Sequence, residues 1–422
     1  MVAMIRVAGW LVVAILAAGV PLPATGALAL PLVASTGAVV TDAGMMARTD
    51  GEYIVWVAGG QSAFDPAARL WARRGDGGEP FLLTTTANAR GWPAIDNGVV
   101  VWLENRPERE CPVCRASLIG KDLASGREFV VTTDVVLFAN YQPSISGSLV
   151  VWTSSDTIWV RDIATMIDPQ AVATVSDATC YFRYPPVISG DRVAWMECYE
   201  PTVRDPRAYP NYRILTKRLG ERETTVVVDE PGNPVGYDLA GDRLVYANPI
   251  SGITIVDLAS GSRQVVGHGR NPTIDGRTVF WEAPADPRDA ANPRVDLRGL
   301  DLETMTSFAA IGGADVNSRP DSGGDIVVWA RSAQEMDGPE VPAEVRVASV
   351  RDLLPTAPRP DPADPNVTWR PETGHSIGGG LPPVLAGEGG RPARRLSKGA
   401  TSPPAGSSAA RSSKPPTCRS PM

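Results

Sequence analysis

The chain repeats itself. A unit of about ten residues, running from a turn-forming start through a glycine and an apolar run to an aromatic, recurs along its length. It reads PAIDNGVVVW (Pro93 to Trp102), PSISGSLVVW (Pro143 to Trp152), PVISGDRVAW (Pro186 to Trp195), PTIDGRTVFW (Pro272 to Trp281) and PDSGGDIVVW (Pro320 to Trp329). Two looser copies are ARTDGEYIVW (Ala47 to Trp56) and YDLAGDRLVY (Tyr237 to Tyr246). The aromatics at 56, 102, 152, 195, 246, 281 and 329 recur about every 45 residues. A chain built this way must bury each copy against its neighbours, which excludes most folds with a single unrepeated core.

A second motif follows the first. Asp122-Leu-Ala-Ser-Gly126, Asp162-Ile-Ala-Thr165, Asp257-Leu-Ala-Ser-Gly261 and Asp301-Leu-Glu-Thr304 place Asp, and often Gly, between β-rich runs. That is hairpin chemistry, and runs such as Glu128 to Thr132 and Thr224 to Val228 are β-branched. Each unit therefore holds four strands, A to D. Four strands in about 45 residues make one blade of a β-propeller. The expected fold is all-β: a seven-bladed β-propeller of four-stranded antiparallel blades over residues 30–355. Strand B is apolar on both faces, as in Val99, Val100, Val101 and Trp102, so the aromatics are expected to pack between blades. Blade seven ends early. Glu344 to Ala348 forms its strand C, Asp352 to Leu354 its turn, and Pro355 begins a Pro-rich stretch. Residues 37–41 (GAVVT) are expected to supply the missing outer strand and hide two sheet edges.

These motifs, P-x-I-S/D-G with V-V-W and D-L-A-S/T-G, resemble the TolB-type propeller repeats of secreted bacterial proteins and surface antigens, over residues 37–354. The resemblance implies a scaffold for extracellular binding and names no ligand.

Residues 1–29 read as a signal peptide. Arg6 precedes the apolar segment 7–20, which is shorter than the roughly 18–20 residues of a membrane span. Ala27-Leu28-Ala29 fits the cleavage pattern. A secreted or cell-surface protein without stable membrane insertion after cleavage is expected, and a monomer. The net charge is −7, without the basic footprint of a nucleic-acid binder. In an exported chain paired cysteines are the default. Cys180 and Cys198 flank one hairpin and are expected to be bridged. Cys111 and Cys114 share a loop and are left open between a bridge, free thiols and half a zinc site.

Binding is expected on the long B–C loops, because long loops on a rigid frame carry function. Blade four's loop holds Tyr199, Arg204, Arg207, Tyr209 and Tyr212, and blade two's holds Arg106 and Arg109; Tyr and Arg are interface hot-spot residues. The partner would be an extracellular protein or glycan. No H-E-x-x-H, G-x-S-x-G or P-loop is present. The two histidines, His268 and His375, leave little room for His-based chemistry. Asp286, Asp289 and Asp296 lack calcium-loop spacing. The expectation is therefore a non-catalytic scaffold with no catalytic residue, cofactor or metal. The alternative is a polysaccharide-acting hydrolase or lyase whose loop carboxylates act as acid and base. An enzyme of that kind should gather two or three acidic groups in one pocket.

Residues 356–368 are a Pro-rich linker. Trp369 to Ile377 resembles the opening of a secreted-protein repeat that continues F-L-x-Y-W and ends G-Y-P, but residues 381–422 are rich in Pro, Ser, Arg and Gly and are expected to be disordered. Codons for LPPVLAGEGGRPARRLSK (Leu381 to Lys398) exist that, read one nucleotide later, encode FLRYWREKGGGPLVGYPK. A frame shift near Gly380 is the reading adopted, and resequencing the locus tests it.

Overall fold

A computed structural model describes residues 37–59, 67–84, 89–105, 115–136, 142–174, 185–199, 211–230, 234–284, 295–311, 316–332 and 343–354. All belong to the first of two compact units, residues 1–355; the second, 356–422, lies outside them with the linker and tail.

Strands follow one another in hairpins. The first group is β1 (Ala38–Thr49), β2 (Tyr53–Ala58), β3 (Arg69–Arg74) and β4 (Gly77–Leu82). The second is β5 (Ala89–Asp96), β6 (Val99–Asn105), β7 (Arg115–Asp122) and β8 (Glu128–Val136). The third is β9 (Ser144–Ser146), β10 (Leu149–Ser154), β11 (Thr157–Asp162) and β12 (Gln170–Thr174). The fourth is β13 (Val187–Ser189), β14 (Arg192–Tyr199), β15 (Asn211–Arg218) and β16 (Thr225–Asp229). The fifth is β17 (Tyr237–Ala240), β18 (Arg243–Asn248), β19 (Gly252–Asp257) and β20 (Arg263–Gly267). The sixth is β21 (Arg270–Asp275), β22 (Thr278–Pro284), β23 (Val295–Asp301) and β24 (Thr306–Ile311). The last group has three strands of its own, β25 (Val316–Gly323), β26 (Ile326–Ser332) and β27 (Ala343–Ser349).

The second to fifth groups are separate antiparallel four-stranded sheets; the sixth, the last and the first are joined in one eleven-stranded sheet, by the parallel pair Val295 and Val316 and by β1, which serves the last group as its fourth strand. In β1, Ala38, Val39 and Thr41 pair with Val347, Arg346 and Val345 of β27. Further along, Met45, Arg48 and Thr49 pair with Val57, Val55 and Ile54 of β2. One strand thus closes the last group and opens the first. The first strands also touch in turn: β1 against β5, then β9, β13, β17, β21 and β25, and β25 against β1.

The repeated sequence explains this packing. Trp56, Trp102, Trp152, Trp195, Trp281, Trp329 and Tyr246 are all buried, each within an apolar cluster. The second motif is a side-chain-capped turn. Asp122 Oδ1 accepts the Ala124 and Ser125 amides at 2.9 and 3.1 Å, and Asp257 Oδ1 accepts those of Ala259 and Ser260 at 3.1 and 2.7 Å. The backbone then turns left-handed at Gly126 and Gly261.

Two turns break this rule, since Met166 and Met305 hold the same left-handed conformation at φ 56° and 54°. A side chain there costs about 1 kcal/mol. Met166→Gly and Met305→Gly are each expected to raise stability by up to about 1 kcal/mol, read as a higher denaturant midpoint at unchanged slope. An unchanged or lower midpoint would show that these turns hold no strain.

One expected turn is a helix. Val350–Leu353 forms α1, because Val350 and Leu353, three apart, bury together beside Phe308 and Trp329.

Candidate functional site

The first strands surround a cavity of about 500 Å³. Two layers of side chains from these strands face it. In five of the seven first strands the layer nearer the turns holds a Ser or Asp that ties its sheet to the next, while Ala240 and Gly323 take that place in the other two. Asp50 accepts the Gly98 amide at 2.7 Å, Asp96 that of Gly147 at 2.5 Å, Ser146 that of Gly190 at 3.0 Å and Ser189 that of Gly241 at 2.8 Å. Asp275 accepts the Gly324 amide. Short oxygen acceptors suit this place because the next turn presents an otherwise unpaired N–H.

The second layer lies two residues earlier: Arg48, Ala94, Ser144, Val187, Asp238, Thr273 and Asp321, all lining the cavity. Asp238 accepts the Ile274 amide and the Thr273 hydroxyl, both at 2.9 Å. Asp321 accepts the Thr49 amide at 2.8 Å, joining the last group to the first. Ser144 accepts the Ile188 amide at 3.3 Å.

The carboxyls here are electrostatically unusual. Burial raises the Asp321 pKa to about 6, against the pull of the Arg48 charge and the Thr49 amide. Burial also raises Asp238, although amides of Ile274 and Leu239 stabilise its anion. Asp275 is raised by burial first and then by the charge of Asp238. All three keep part of their surface open to the cavity. Asp321, raised to about 6, holds a proton on part of the molecules close to neutral pH, and Asp238 and Asp275 are shifted in the same direction.

A carboxyl with a higher pKa in the folded state takes up a proton on folding. Its contribution to stability is full below about pH 4 and is lost as pH rises through about 6. Asp321→Asn keeps an oxygen for the Thr49 amide and removes the charge. It is expected to stabilise the protein by on the order of 1–2 kcal/mol at pH 7.5 and by little at pH 4, in paired thermal melts. A gain of the same size at both pH values would reject the raised pKa.

The loop residues fare differently. Tyr212 is not on a surface: it lies on β15 opposite Cys198, is 4% exposed, and packs with Met196, Ile214 and Tyr237. Alternation along the strand buries Tyr212, Ile214 and Thr216 together. Tyr199 ends β14, its backbone paired with Asn211. Arg106, Arg109, Arg204, Arg207, Tyr209, Cys111, Cys114, Cys180, Asp286 and Asp289 lie outside the described residues. Asp296 is buried against Arg298 at 3.3 Å, and His268 is an exposed residue between β20 and β21. Among the described residues no three His, Cys, Asp or Glu side chains form a metal-binding group.

No protein-family model and no curated protein matches the sequence. Solved structures do. The β-propeller domain of the Trilobed protease from Pyrococcus furiosus aligns with a TM-score of 0.51 at 12% identity, covering 69% of this chain and 92% of that one. The fold is a β-propeller. Pyrococcus horikoshii acylaminoacyl peptidase aligns at 0.51 and 12% identity over 74% of this chain, which spans about half the peptidase's length (52%). TolB from Acinetobacter baumannii is a more distant neighbour, at 0.38 and 15% identity over 72% of this chain and 63% of that one. The first two likenesses define the fold, and they correct one expectation. The propellers of the first two alignments are those of a protease and a peptidase, so the reading as a non-catalytic extracellular scaffold that binds on its loop face is not kept. Two physical findings agree with the correction: Tyr212 belongs to the core, and acidic groups gather in one cavity.

Proposed function

We propose that the chain is a hydrolase whose acid–base groups are the carboxyls of the propeller cavity. The observation that carries this is the trio Asp238, Asp275 and Asp321 around one cavity, each with its pKa raised. Asp321, protonated in part near neutral pH, gives a proton to the leaving group. Asp275 takes one from the attacking water. Asp238 accepts three hydrogen bonds and holds the frame. Two carboxyls of unlike protonation state suffice for hydrolysis without a nucleophilic serine.

Peptides are the first substrate class, because propellers similar to this one occur in a protease and a peptidase. Five carboxyls (Asp50, Asp96, Asp238, Asp275, Asp321) against the single Arg48 favour a cationic end. Polysaccharide is the second reading, favoured by the hydroxyl and amide lining of Ser144, Ser146, Ser189, Gln142 and Asn271. Incubation with an unbiased peptide mixture and a panel of polysaccharides, followed by mass spectrometry of new ends, tests both. Cleavage abolished by Asp275→Asn supports the proposal; absence of any new end from either pool contradicts it.

The wider setting is also proposed. The turn-by-turn contact of the first strands and the shared strand β1 support a closed ring of seven blades. The apolar segment 7–20 supports export of a TolB-type propeller, with Cys180 and Cys198 bridged and the product monomeric.

A further inference from the structure

We propose that one face of β3 binds an acidic polysaccharide, with Arg69 and Arg73 as its anion sites and Trp71 as the floor between them. The site lies away from the cavity and does not rest on the hydrolytic reading.

A comparison between the groups carries the inference. In the second, third and fourth groups the third strand holds a cation at one fixed place. Lys121, Arg161 and Lys217 pair with Val100, Val150 and Val193, each two residues before the repeat aromatic. Each cation reaches back to the preceding group and donates to a backbone carbonyl near its outer edge. Lys121 Nζ bonds Leu83 at 2.9 Å, Arg161 Nη1 bonds Val131, and Lys217 Nζ bonds Val172 at 3.2 Å. These three charges are therefore engaged inside the fold. Arg73, paired with Ile54, holds the same place in the first group. It makes no such bond. Among the described residues neither Arg73 nor Arg69 has a hydrogen-bond or ion-pair partner, and Arg73 Nε and Arg69 Nη1 are buried unpaired. Burial lowers the Arg73 pKa, and no carboxylate among the described residues opposes that shift. A partly buried guanidinium without a counter-charge is costly. A carboxylate is its natural partner, because two N–H groups meet two oxygens at once.

The surroundings say what carries the carboxylate. Alternation puts Arg69, Trp71 and Arg73 on one face of β3. Trp71 is half-buried there, packed beside Val40, Val345 and Val347 of the last group. Its partner on the edge strand β4 is Leu82, which is 43% exposed. The two arginines stand about 13 Å apart along the strand, too far for one small anion to bridge. A chain with several anionic groups spans them. Between them it meets an indole and a leucine. That apolar floor suits the carbon face of a sugar ring. A peptide laid across it would leave backbone N–H and C=O groups unpaired. A run of uronate residues meets both conditions. Arg74, next along the strand, points the other way and is already held by Glu52 at 3.3 Å and Asp76 at 3.5 Å.

The experiment is calorimetric titration of the full chain at low salt with an alginate oligosaccharide of uronate residues. Dextran, poly-glutamate and sodium sulfate are the comparison probes. Arg69→Gln and Arg73→Gln are each expected to weaken alginate binding about tenfold, the scale of one charged hydrogen bond. Arg74→Gln removes the same charge from the opposite face and is expected to leave binding unchanged. If Arg73→Gln prevents folding, Arg69→Gln set against Arg74→Gln decides. Absence of alginate binding, or an equal loss in all three variants, overturns the site. Poly-glutamate that binds as tightly as alginate overturns the sugar. Sulfate binding alone means an adventitious ion only, and overturns the proposal as well.

Discussion

A chain that begins at Met45 is expected to melt about 10 °C below one that begins at residue 30. The segment removed carries the half of β1 that pairs with β27. Its loss strips the ladder from Ala343 to Val347 and uncovers Val345 and Val347, which are buried beside Val40. Each lost backbone bond costs about 1 kcal/mol and burial of Val40 contributes about 2 kcal/mol more, so the total is several kcal/mol before the exposed edge is counted. Gly37 shows how close the join is. A Cβ there would stand 2.3 Å from the ring of Trp329, and its φ of +63° suits glycine. Gly37→Val is therefore expected to lower the melting point in the same direction without removing a residue. Equal melting of the short and long chains would mean that β1 contributes nothing to holding the last sheet.

Phe308→Ala is expected to cost about 3–5 kcal/mol. Phe308 is fully buried, meets Phe280 edge to face at 6.1 Å, and lies over Gly299 on the neighbouring strand. The glycine makes room for the ring, since a Cβ on Gly299 would come within 2.3 Å of it. Gly299→Ala is thus expected to destabilise as well. The two effects should not add: with the ring gone, the new methyl has space, and the double variant should be more stable than the sum of the single costs implies. Strict additivity in denaturant melts would contradict this pairing. Gly120 under Phe129 repeats the arrangement in the second group.

The strand plan was legible because its signals are local. Apolar runs ending in Trp, a glycine turn and an Asp-capped turn each act within about ten residues, and the strands fall where those signals place them. The outer strand from residues 37–41 was legible for a different reason: the last group lacked a strand and one unassigned β segment remained. That this segment runs on into the first group as one strand was not legible, because nothing in residues 42–46 marks the bulge. The cavity carboxyls were missed for a physical reason. Asp238 sits in the loosest copy of the repeat, and Asp321 sits in a D-S-G-G run that reads only as one more turn. Their shared surroundings arise from strands far apart in the chain. Tyr212 was misplaced because a Tyr beside an Arg-rich loop reads as surface. The alternation of Tyr212, Ile214 and Thr216 was the signal for a buried face.

The most direct test of the hydrolytic reading is the pH–rate profile of peptide cleavage, measured for the unaltered protein and for Asp321→Asn. If Asp321 supplies the proton, the unaltered protein should lose rate as pH rises through about 6. The variant, folded and more stable at pH 7.5, should lack that limb and turn over far more slowly. Cleavage that is indifferent to Asp321 at every pH, or a folded protein that cleaves nothing across the range, would contradict it.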